Sequence, residues 1–250
     1  MPLTDLKKVR YENWLHMTRS NRDQWFMLFR EYCNGKSEFI RDFASKRGRI
    51  LCKNITQMYG YMLQYGYELQ QDAYISIYEF RDTKQIGNRK PLPDYSRPYA
   101  IDKIVFDIDC EQNMESGWEL TKEVFDILVE YLSPKEKRLA KYGLFYTGGR
   151  GYHIYYLPSP QNIFLSADAA RNFCDAIHVA TGYSDFVDRS LFGDVSRDIR
   201  IPYTLHPQAA CQMVPVYLDM TLEEMIKLSL RTNTPSTLFH RAKHWRKWHG

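Results

Sequence analysis

The sequence predicts an α+β fold in which a β-α-β-β-α-β module of the ferredoxin-like type packs with an N-terminal α/β module. Three observations predict it. Between residues 101 and 217, strand-like alternation and helix-like periodicity succeed one another in that order. Residues 20–80 carry a shorter alternation of helices and strands. The chain has 250 residues, of which 44% are hydrophobic, and this suffices for a substantial core.

The N-terminal module is predicted from hydrophobic periodicity. Trp25, Phe26 and Phe29 recur at helical spacing after a Ser-Asn pair, which is a typical helix start. The run AYISIYEF is rich in β-branched and aromatic residues, as strands are. We therefore expect helices over 20–33 and 54–69 and strands over 49–53 and 73–80.

The segment 81–98 contains Gly87, three prolines and many charges, which predict an exposed loop or a seam between modules. The expected organisation is a single catalytic domain over 1–250. Its parts are an N-terminal module over about 1–98, a catalytic module over about 99–220 and a basic tail over about 221–250.

The second module is predicted element by element. A strand is expected over 101–109, and Ser116 with Glu119 predicts a capping box that opens a helix to about Leu132. Ser166 is expected to cap a second helix that ends at Gly182. The remaining elements are strands over 144–147 and 152–157, joined by a tight GGRG turn, and a last strand within 197–217. RNA-recognition modules share this order, as do many unrelated functions, so the fold alone indicates no chemistry.

The C-terminal tail begins with a second capping signal, Thr221 with Glu224, and ends in the basic run FHRAKHWRKWHG. We expect a helix there. Its cations and tryptophans suit nucleic acid, and a solvated helix or one that continues into a further domain is an equal alternative.

Composition narrows the function classes. A net charge of +4 and a pI near 8.7 permit a polyanionic partner, and the 15% aromatic content suits base stacking or core packing. Five cysteines without a CxxC pair indicate neither a disulfide framework nor a zinc site, since Cys174 with His178 and His240 with His244 lack a four-ligand set. No apolar run approaches the roughly 20 residues of a membrane span, so a soluble cytoplasmic protein is expected.

Two carboxylates mark the first candidate site. Alternate residues of a strand share a face, so Asp107 and Asp109 in VFDID point the same way while Phe106 and Ile108 face the core. Like charges held that close favour a cation, and oxygen ligands suit Mg²⁺ or Mn²⁺. The alternatives are two solvated acids at a strand end, or the DxD motif of a sugar-nucleotide transferase.

The turn TGGRGYH, residues 147–153, is the second candidate. Glycine lets the backbone approach an anion, and Arg150 and His153 add donors that fit phosphate oxygens. A nucleoside triphosphate is the natural guest, and an ordinary hairpin is the alternative. A Walker A loop is excluded because no GK[ST] follows the turn.

The third candidate is the segment 187–207. Asp188 would complete a three-carboxylate site of the kind that holds two metal ions, and Arg197, Arg200 and His206 follow it. A surface loop of mixed charge is the alternative.

Together these motifs resemble those of the archaeo-eukaryotic primase superfamily. That family has an hDhD strand, an SGxRGxH-like hairpin, and a metal-binding Asp ahead of an RxxRxPxSxH pattern. This chain has FDID, TGGRGYH and RDIRIPYTLH in that order, and Asp188 precedes Pro202 by 14 positions. The resemblance covers about residues 101–217.

The resemblance implies a role for each matching residue. This chain departs from the family pattern at Thr147 and Thr204, which stand where the family has Ser. It departs again at Gln208-Ala209-Ala210, which replaces a Lys-Thr-Gly type of ending. The implied metal ligands and catalytic residues are Asp107, Asp109 and Asp188, with Glu111 in reserve, and the implied nucleotide contacts are Thr147, Gly149, Arg150, Gly151, His153, Arg197, Arg200 and His206.

The implied activity is template-dependent nucleotidyl transfer by a DNA primase or polymerase with two Mg²⁺ or Mn²⁺ ions. Its partners would be single-stranded DNA, ribo- or deoxyribonucleoside triphosphates, and a helicase or accessory domain or subunit. The alternatives are a non-catalytic RRM-like nucleic-acid-binding module of a replication initiator and a DxD glycosyltransferase.

Overall fold

The computed structural model describes residues 3–45, 48–85, 87–110, 113–160, 163–164, 166–182 and 187–241. Helices and two larger antiparallel sheets share one continuous hydrophobic core in these ranges. No helix of the described ranges has the length and apolar character needed to cross a membrane. The helices are α1 (Leu3–Ser20), α2 (Arg22–Tyr32), α3 (Ile55–Leu63), α4 (Met114–Tyr131), α5 (Pro134–Leu139), α6 (Ala167–Thr181) and α7 (Leu222–Leu230).

The first sheet belongs mainly to the N-terminal module, and α3 packs against two of its strands. A π-helical turn, Gln64–Glu68, continues α3. The strands of this sheet are β1 (Glu38–Ser45), β2 (Gly48–Asn54), β3 (Tyr74–Ser76) and β11 (Asp198–Arg200). They lie in the order β11-β3-β1-β2, so one edge strand, β11, comes from the third candidate segment.

The second sheet carries the first two candidate motifs. Its central strands have the order β9-β10-β8, and both β12 and β13 pair with the outer edge of β9. Helices α4 and α6 pack against each other, and α4 also packs on β10. The strands are β8 (Ile104–Asp109), β9 (Lys141–Tyr146), β10 (Gly151–Leu157), β12 (Val214–Pro215) and β13 (His240–Arg241).

The ferredoxin-like order is matched only in part. The first three strands of the module pair as expected, but the last strand of a ferredoxin-like sheet lies beside the first. Here β12 pairs with β9 at the opposite edge, and a single bridge between Val187 and Ile108 lies on the free side of β8. The predicted β-α-β-β-α-β sheet is therefore not confirmed in its last strand, since the strands described within 197–217 pair with β3 and β9 and not with β8.

The predicted strand over 73–80 is broken into β3 and β4 (Glu79–Phe80). Two buried cations explain the break. The guanidinium of Arg41 donates to the carbonyl oxygens of Ser76 and Ile77 (2.9 and 2.8 Å), and the ammonium of Lys103 also donates to that of Ile77 (3.2 Å). Side chains thus replace strand pairing at this point and tie the start of the second module to the first.

The predicted seam over 81–98 folds as short antiparallel pairs. Strand β4 pairs with β7 (Pro98–Ala100), and β5 (Thr83–Lys84) pairs with β6 (Leu92–Pro93). The hydroxyl of Tyr95 donates to Asp42 of β1 over 2.6 Å, so the hairpin is anchored on the first sheet.

Two helix starts are confirmed and one is corrected. Ser166 accepts from the N–H of Ala169, and Thr221 with Glu224 forms a complete capping box. The predicted box at Ser116 and Glu119 is wrong because α4 starts earlier. The side chain of Asn113 accepts from the N–H groups of Glu115 and Ser116 and is the cap.

The predicted basic helix at the C-terminus is wrong in its described part. Residues 240–241 form β13, which pairs with β9. The carboxylate of Glu31 accepts from the N–H groups of Leu238 and Phe239 (2.9 and 3.2 Å) and so holds this segment extended. The rest of the basic tail, His244 included, lies outside the described residues.

Candidate active site

The strand β8 presents two carboxylates on one face, as its alternation predicts. Phe106 and Ile108 are fully buried, whereas Asp107 is partly exposed and Asp109 is exposed. The N-terminal part of the strand, Ile104 and Val105, is buried on both faces. The acidic side chains therefore lie at the C-terminal end of the strand, where it reaches solvent.

Backbone pairing brings Asp188 to the same place. Val187 bridges Ile108, and the N–H of Asp188 donates to the carbonyl oxygen of Asp107 over 2.9 Å. The Asp188 carboxylate accepts from the N–H of Ser190 over 2.9 Å, which caps a 3₁₀ turn at 189–191. The structure thus places Asp188 beside Asp107, on the strand that also carries Asp109.

Two of the carboxylates already contact a basic side chain. The Nε2 atom of His153 lies 3.3 Å from Oδ1 of Asp107, and Nη2 of Arg197 lies 3.4 Å from Oδ2 of Asp188. Burial raises the pKa of Asp107, but the imidazole of His153 and then the guanidinium groups of Arg200 and Arg197 outweigh it. The pKa of Asp107 is therefore held below its ordinary value, and the group is an anion at neutral pH.

The donor chemistry of this corner suits a hard cation, because all three predicted ligands are carboxylates. In their present rotamers, however, no three His, Cys, Asp or Glu side chains of the described ranges form a cluster that could hold an ion. One oxygen of Asp107 and one of Asp188 are instead directed at His153 and Arg197. The reserve residue Glu111 lies outside the described residues.

The glycine turn is closed by its own backbone and packed against a neighbouring loop. The N–H and the hydroxyl of Thr147 both donate to the carbonyl oxygen of Gly151 (3.1 and 3.0 Å). Gly148 has a φ of +73°, and a Cβ there would lie 2.8 Å from the carbonyl oxygen of Cys211. A Cβ at Gly151 would lie 2.3 Å from the carbonyl oxygen of Ile108. Glycine is required at both positions.

His206 packs directly on this turn. A Cβ added at Gly149 would lie 2.9 Å from the Cδ2 atom of the His206 ring and 3.0 Å from its Nε2. The Nδ1 atom of His206 faces the N–H groups of Gln208 and Ala209 (3.2 and 3.3 Å), so it is an acceptor. A neutral ring then carries its proton on Nε2, beside the glycine turn.

Electrostatics favour the same neutral form. Burial is the largest effect on the pKa of His206, and the cations Arg200, Arg150 and Lys7 lower it further against the opposing effect of Asp72. Together they bring the pKa of His206 to about 4. At neutral pH the ring therefore offers one N–H donor in a region of positive potential, which suits an anionic ligand.

The three arginines take different places. Arg200, in β11, is buried and donates to the carbonyl oxygen of Thr147 over 2.7 Å, so it links the first sheet to the glycine turn. Arg197 contacts Asp188 and the hydroxyl of Ser190. Arg150 is exposed at the tip of the turn.

His153 lies on the returning strand of the hairpin, as expected. It is buried on β10 opposite Asp107, and its Nδ1 atom has no hydrogen-bond partner among the described residues. The structure thus places His153 next to Asp107, whereas His206 is the histidine that packs on the glycine turn. A contact between His153 and a triphosphate stays a prediction.

Helix α1 contains site residues that the sequence analysis missed. The indole N–H of Trp14 donates to the carbonyl oxygen of Tyr203 over 3.0 Å, and Arg10 donates to that of Ala209 over 3.1 Å. Both acceptors flank His206. The helical spacing of the two buried aromatic residues Tyr11 and Trp14 was a partial signal for this face.

No protein-family model and no curated protein matches the sequence. Among solved structures, the fold is similar to the polymerase domain of Mycobacterium tuberculosis ligase D in complex with DNA, at 17% identity and a TM-score of 0.46, over 79% of this chain and 68% of that one. It is also similar to the AEP domain of the cyanophage S-2L primase-polymerase, at 11% identity and a TM-score of 0.47, over 83% of this chain and 97% of that one.

Proposed function

We propose that this chain is a template-dependent nucleotidyltransferase of the primase-polymerase type, which joins nucleoside triphosphates on single-stranded DNA. The observation that supports it best is the hydrogen bond from the N–H of Asp188 to the carbonyl oxygen of Asp107. This bond joins the third acidic motif to the first, and the glycine turn leads into the adjoining strand β10, whose first residue Gly151 pairs with Asp109. The acidic side chains and the groups that could donate hydrogen bonds to phosphate oxygens therefore lie near one another, at the end of β8 and the start of β10.

Asp107, Asp109 and Asp188 are the residues that would hold Mg²⁺ or Mn²⁺. Bound there, two such ions would activate the attacking hydroxyl and brace the leaving pyrophosphate. For this to happen, the carboxylates of Asp107 and Asp188 must exchange His153 and Arg197 for the ion. Asp107 is ionised at neutral pH, so a metal ion would find the carboxylate in the form that it binds.

The glycine turn and His206 would bind the triphosphate. The ring of His206 packs on the turn at Gly149, so its Nε2 proton lies beside the turn. Arg200 fixes the turn through the carbonyl of Thr147, and Arg150 is exposed at its tip. These groups would orient the phosphates and offset the charge that develops on them during transfer.

The β5–β6 hairpin offers a surface for the template. Lys84, Arg89 and Lys90 are exposed around a groove of about 250 Å³ that Tyr95 also lines. Cations and an aromatic ring are what a single strand contacts, through its phosphates and a stacked base.

A primer-extension assay tests this proposal. The full chain is incubated with single-stranded DNA, with or without a primer, together with labelled ribo- or deoxyribonucleoside triphosphates and Mg²⁺ or Mn²⁺. We expect metal-dependent extension in the wild type and none in an Asp107→Ala Asp109→Ala variant. An Asp219→Ala variant, which removes an exposed acid from outside the three motifs, is the matched control and should extend normally.

The alternatives give different results in the same assay. A non-catalytic binding module would bind the template without regard to metal or triphosphate and would never extend it. A DxD glycosyltransferase would hydrolyse or transfer from a sugar nucleotide and ignore the template. Extension that survives in the Asp107→Ala Asp109→Ala variant would remove the assignment of the metal ligands.

A further inference from the structure

Helix α1 is hydrogen-bonded to both ends of the loop that carries His206. Trp14, which is completely buried, donates from its indole to the carbonyl oxygen of Tyr203 at one end of the loop. One turn earlier in the helix, Arg10 donates to the carbonyl oxygen of Ala209 at the other end and lies 3.8 Å from the sulfur of Cys211. The helix therefore contacts both sides of His206.

The loop needs such support because its backbone is strained. Tyr203 and Ala210 have φ values of 65° and 51°, in the left-handed region that non-glycine residues disfavour. A residue in this conformation is strained and persists only where its surroundings hold it. The bond from Arg10 holds the Ala209 peptide, whose own N–H donates to Nδ1 of His206. Arg10 thus acts on the ring through one residue.

The same helix face also brings positive charge. Lys7 lies one turn before Arg10 and Tyr11, and its ammonium is among the charges that lower the pKa of His206. Arg150 from the glycine turn and Arg200 from β11 act on the same ring. Cations from three separate elements therefore act on His206, while Asp72, the acid that opposes them, accepts a hydrogen bond from Tyr74.

Resting on the proposed function, we infer that α1 is part of the nucleotide site: Lys7 binds the phosphate chain and Arg10 positions His206. Helix α1 then contributes to the selection of nucleoside triphosphates over monophosphates. A triphosphate carries about two more negative charges than a monophosphate, so its affinity depends more strongly on each cation that faces it.

Equilibrium binding to the full chain, measured by calorimetry with Mg²⁺ but without DNA, tests this inference. The ligands are a nucleoside triphosphate and the matching monophosphate. We expect Lys7→Gln to weaken triphosphate binding by roughly ten-fold and monophosphate binding by no more than about two-fold. Arg10→Gln should weaken the binding of both nucleotides, because it releases His206. Arg10→Lys should restore little of this affinity, since one ammonium cannot repeat the guanidinium contact.

The matched control is Lys8→Gln Arg19→Gln, which removes the same charge from exposed positions of the same helix and should leave both affinities unchanged. A loss in the control equal to that in Lys7→Gln Arg10→Gln would overturn the inference, since bulk charge would explain it. So would an unchanged triphosphate preference in Lys7→Gln. If Arg10→Gln unfolds, Lys7→Gln still decides the outcome.

The same titration separates this inference from the proposed function. A chain that binds triphosphates through α1 but extends no DNA would leave the inference standing and remove the proposed polymerase. A wild type that binds no nucleotide would overturn both.

Discussion

The backbone N–H of Asp188 donates to the backbone carbonyl of Asp107 over 2.9 Å, so two acidic residues that are far apart in sequence occupy adjacent positions in space. The bond involves no side-chain atoms. Replacing either carboxylate by an amide should therefore leave the local pairing intact and remove only the charge.

Asp188→Asn is expected to lower the rate of extension by about 10²–10³-fold, since charge stabilisation at a reacting phosphate is worth that much for a single group. Thermal unfolding should stay within a few degrees of the wild type because the backbone bond persists. Asp219→Asn serves as the control. An Asp188→Asn variant with wild-type rates would show that the third motif holds no catalytic ligand.

Metal binding has a readout that does not involve activity. His153 contacts Asp107 at 3.3 Å, so an ion that takes this carboxylate must change the surroundings of the imidazole. We expect Mn²⁺ to broaden the NMR signals of the His153 ring in the wild type, and chelation to restore them. The effect should vanish in Asp107→Asn Asp188→Asn. Broadening that persists there would place the ion elsewhere.

The first acidic motif could be predicted from sequence because its pattern is local. Phe106 and Ile108 are buried while Asp107 and Asp109 are not, so apolar and acidic residues alternate along one strand. The nearness of Asp188 could only be inferred from the resemblance. It depends on long-range pairing with Ile108, and nothing in the local sequence encodes such pairing.

Helix α1 was missed because its pattern is blurred. Leu3, Leu6 and Val9 are exposed, although they are apolar, whereas the polar Thr18 is fully buried. Hydrophobic periodicity therefore does not mark the buried face. The break between β3 and β4 was missed for a related reason, since the cations that cause it come from distant segments.

Gly149→Ala tests the contact between the turn and His206. The added Cβ would lie 2.9 Å from the imidazole, so the ring must move away from the turn. We expect the Michaelis constant for the nucleotide to rise roughly ten-fold or more, because a small misplacement of a binding group costs that much. Gly60→Ala is the control, since α3 has open space there. Equal constants in both variants would show that His206 does not contact the nucleotide.

Replacing Lys84, Arg89 and Lys90 by Gln should weaken the binding of single-stranded DNA and reduce its salt dependence. Three lost phosphate contacts lower the slope of log affinity against log salt by roughly 2. The matched control removes Lys135, Lys137 and Arg138 from α5, which is the same change in charge. A slope that falls equally in both variants would indicate non-specific attraction instead of a template path along the hairpin.

The pH dependence of folding tests the protonation state of His206. Its pKa in the folded protein is about 4, below the ordinary value of 6.5, so between these values the unfolded chain binds the proton more readily. The contribution of the neutral ring is therefore complete above about pH 6.5 and is lost as pH falls toward 4. Urea unfolding of the wild type and of His206→Gln should show a free-energy difference that shrinks across this window. A difference that is independent of pH would mean that burial and the neighbouring cations do not hold the ring of His206 neutral in the folded protein.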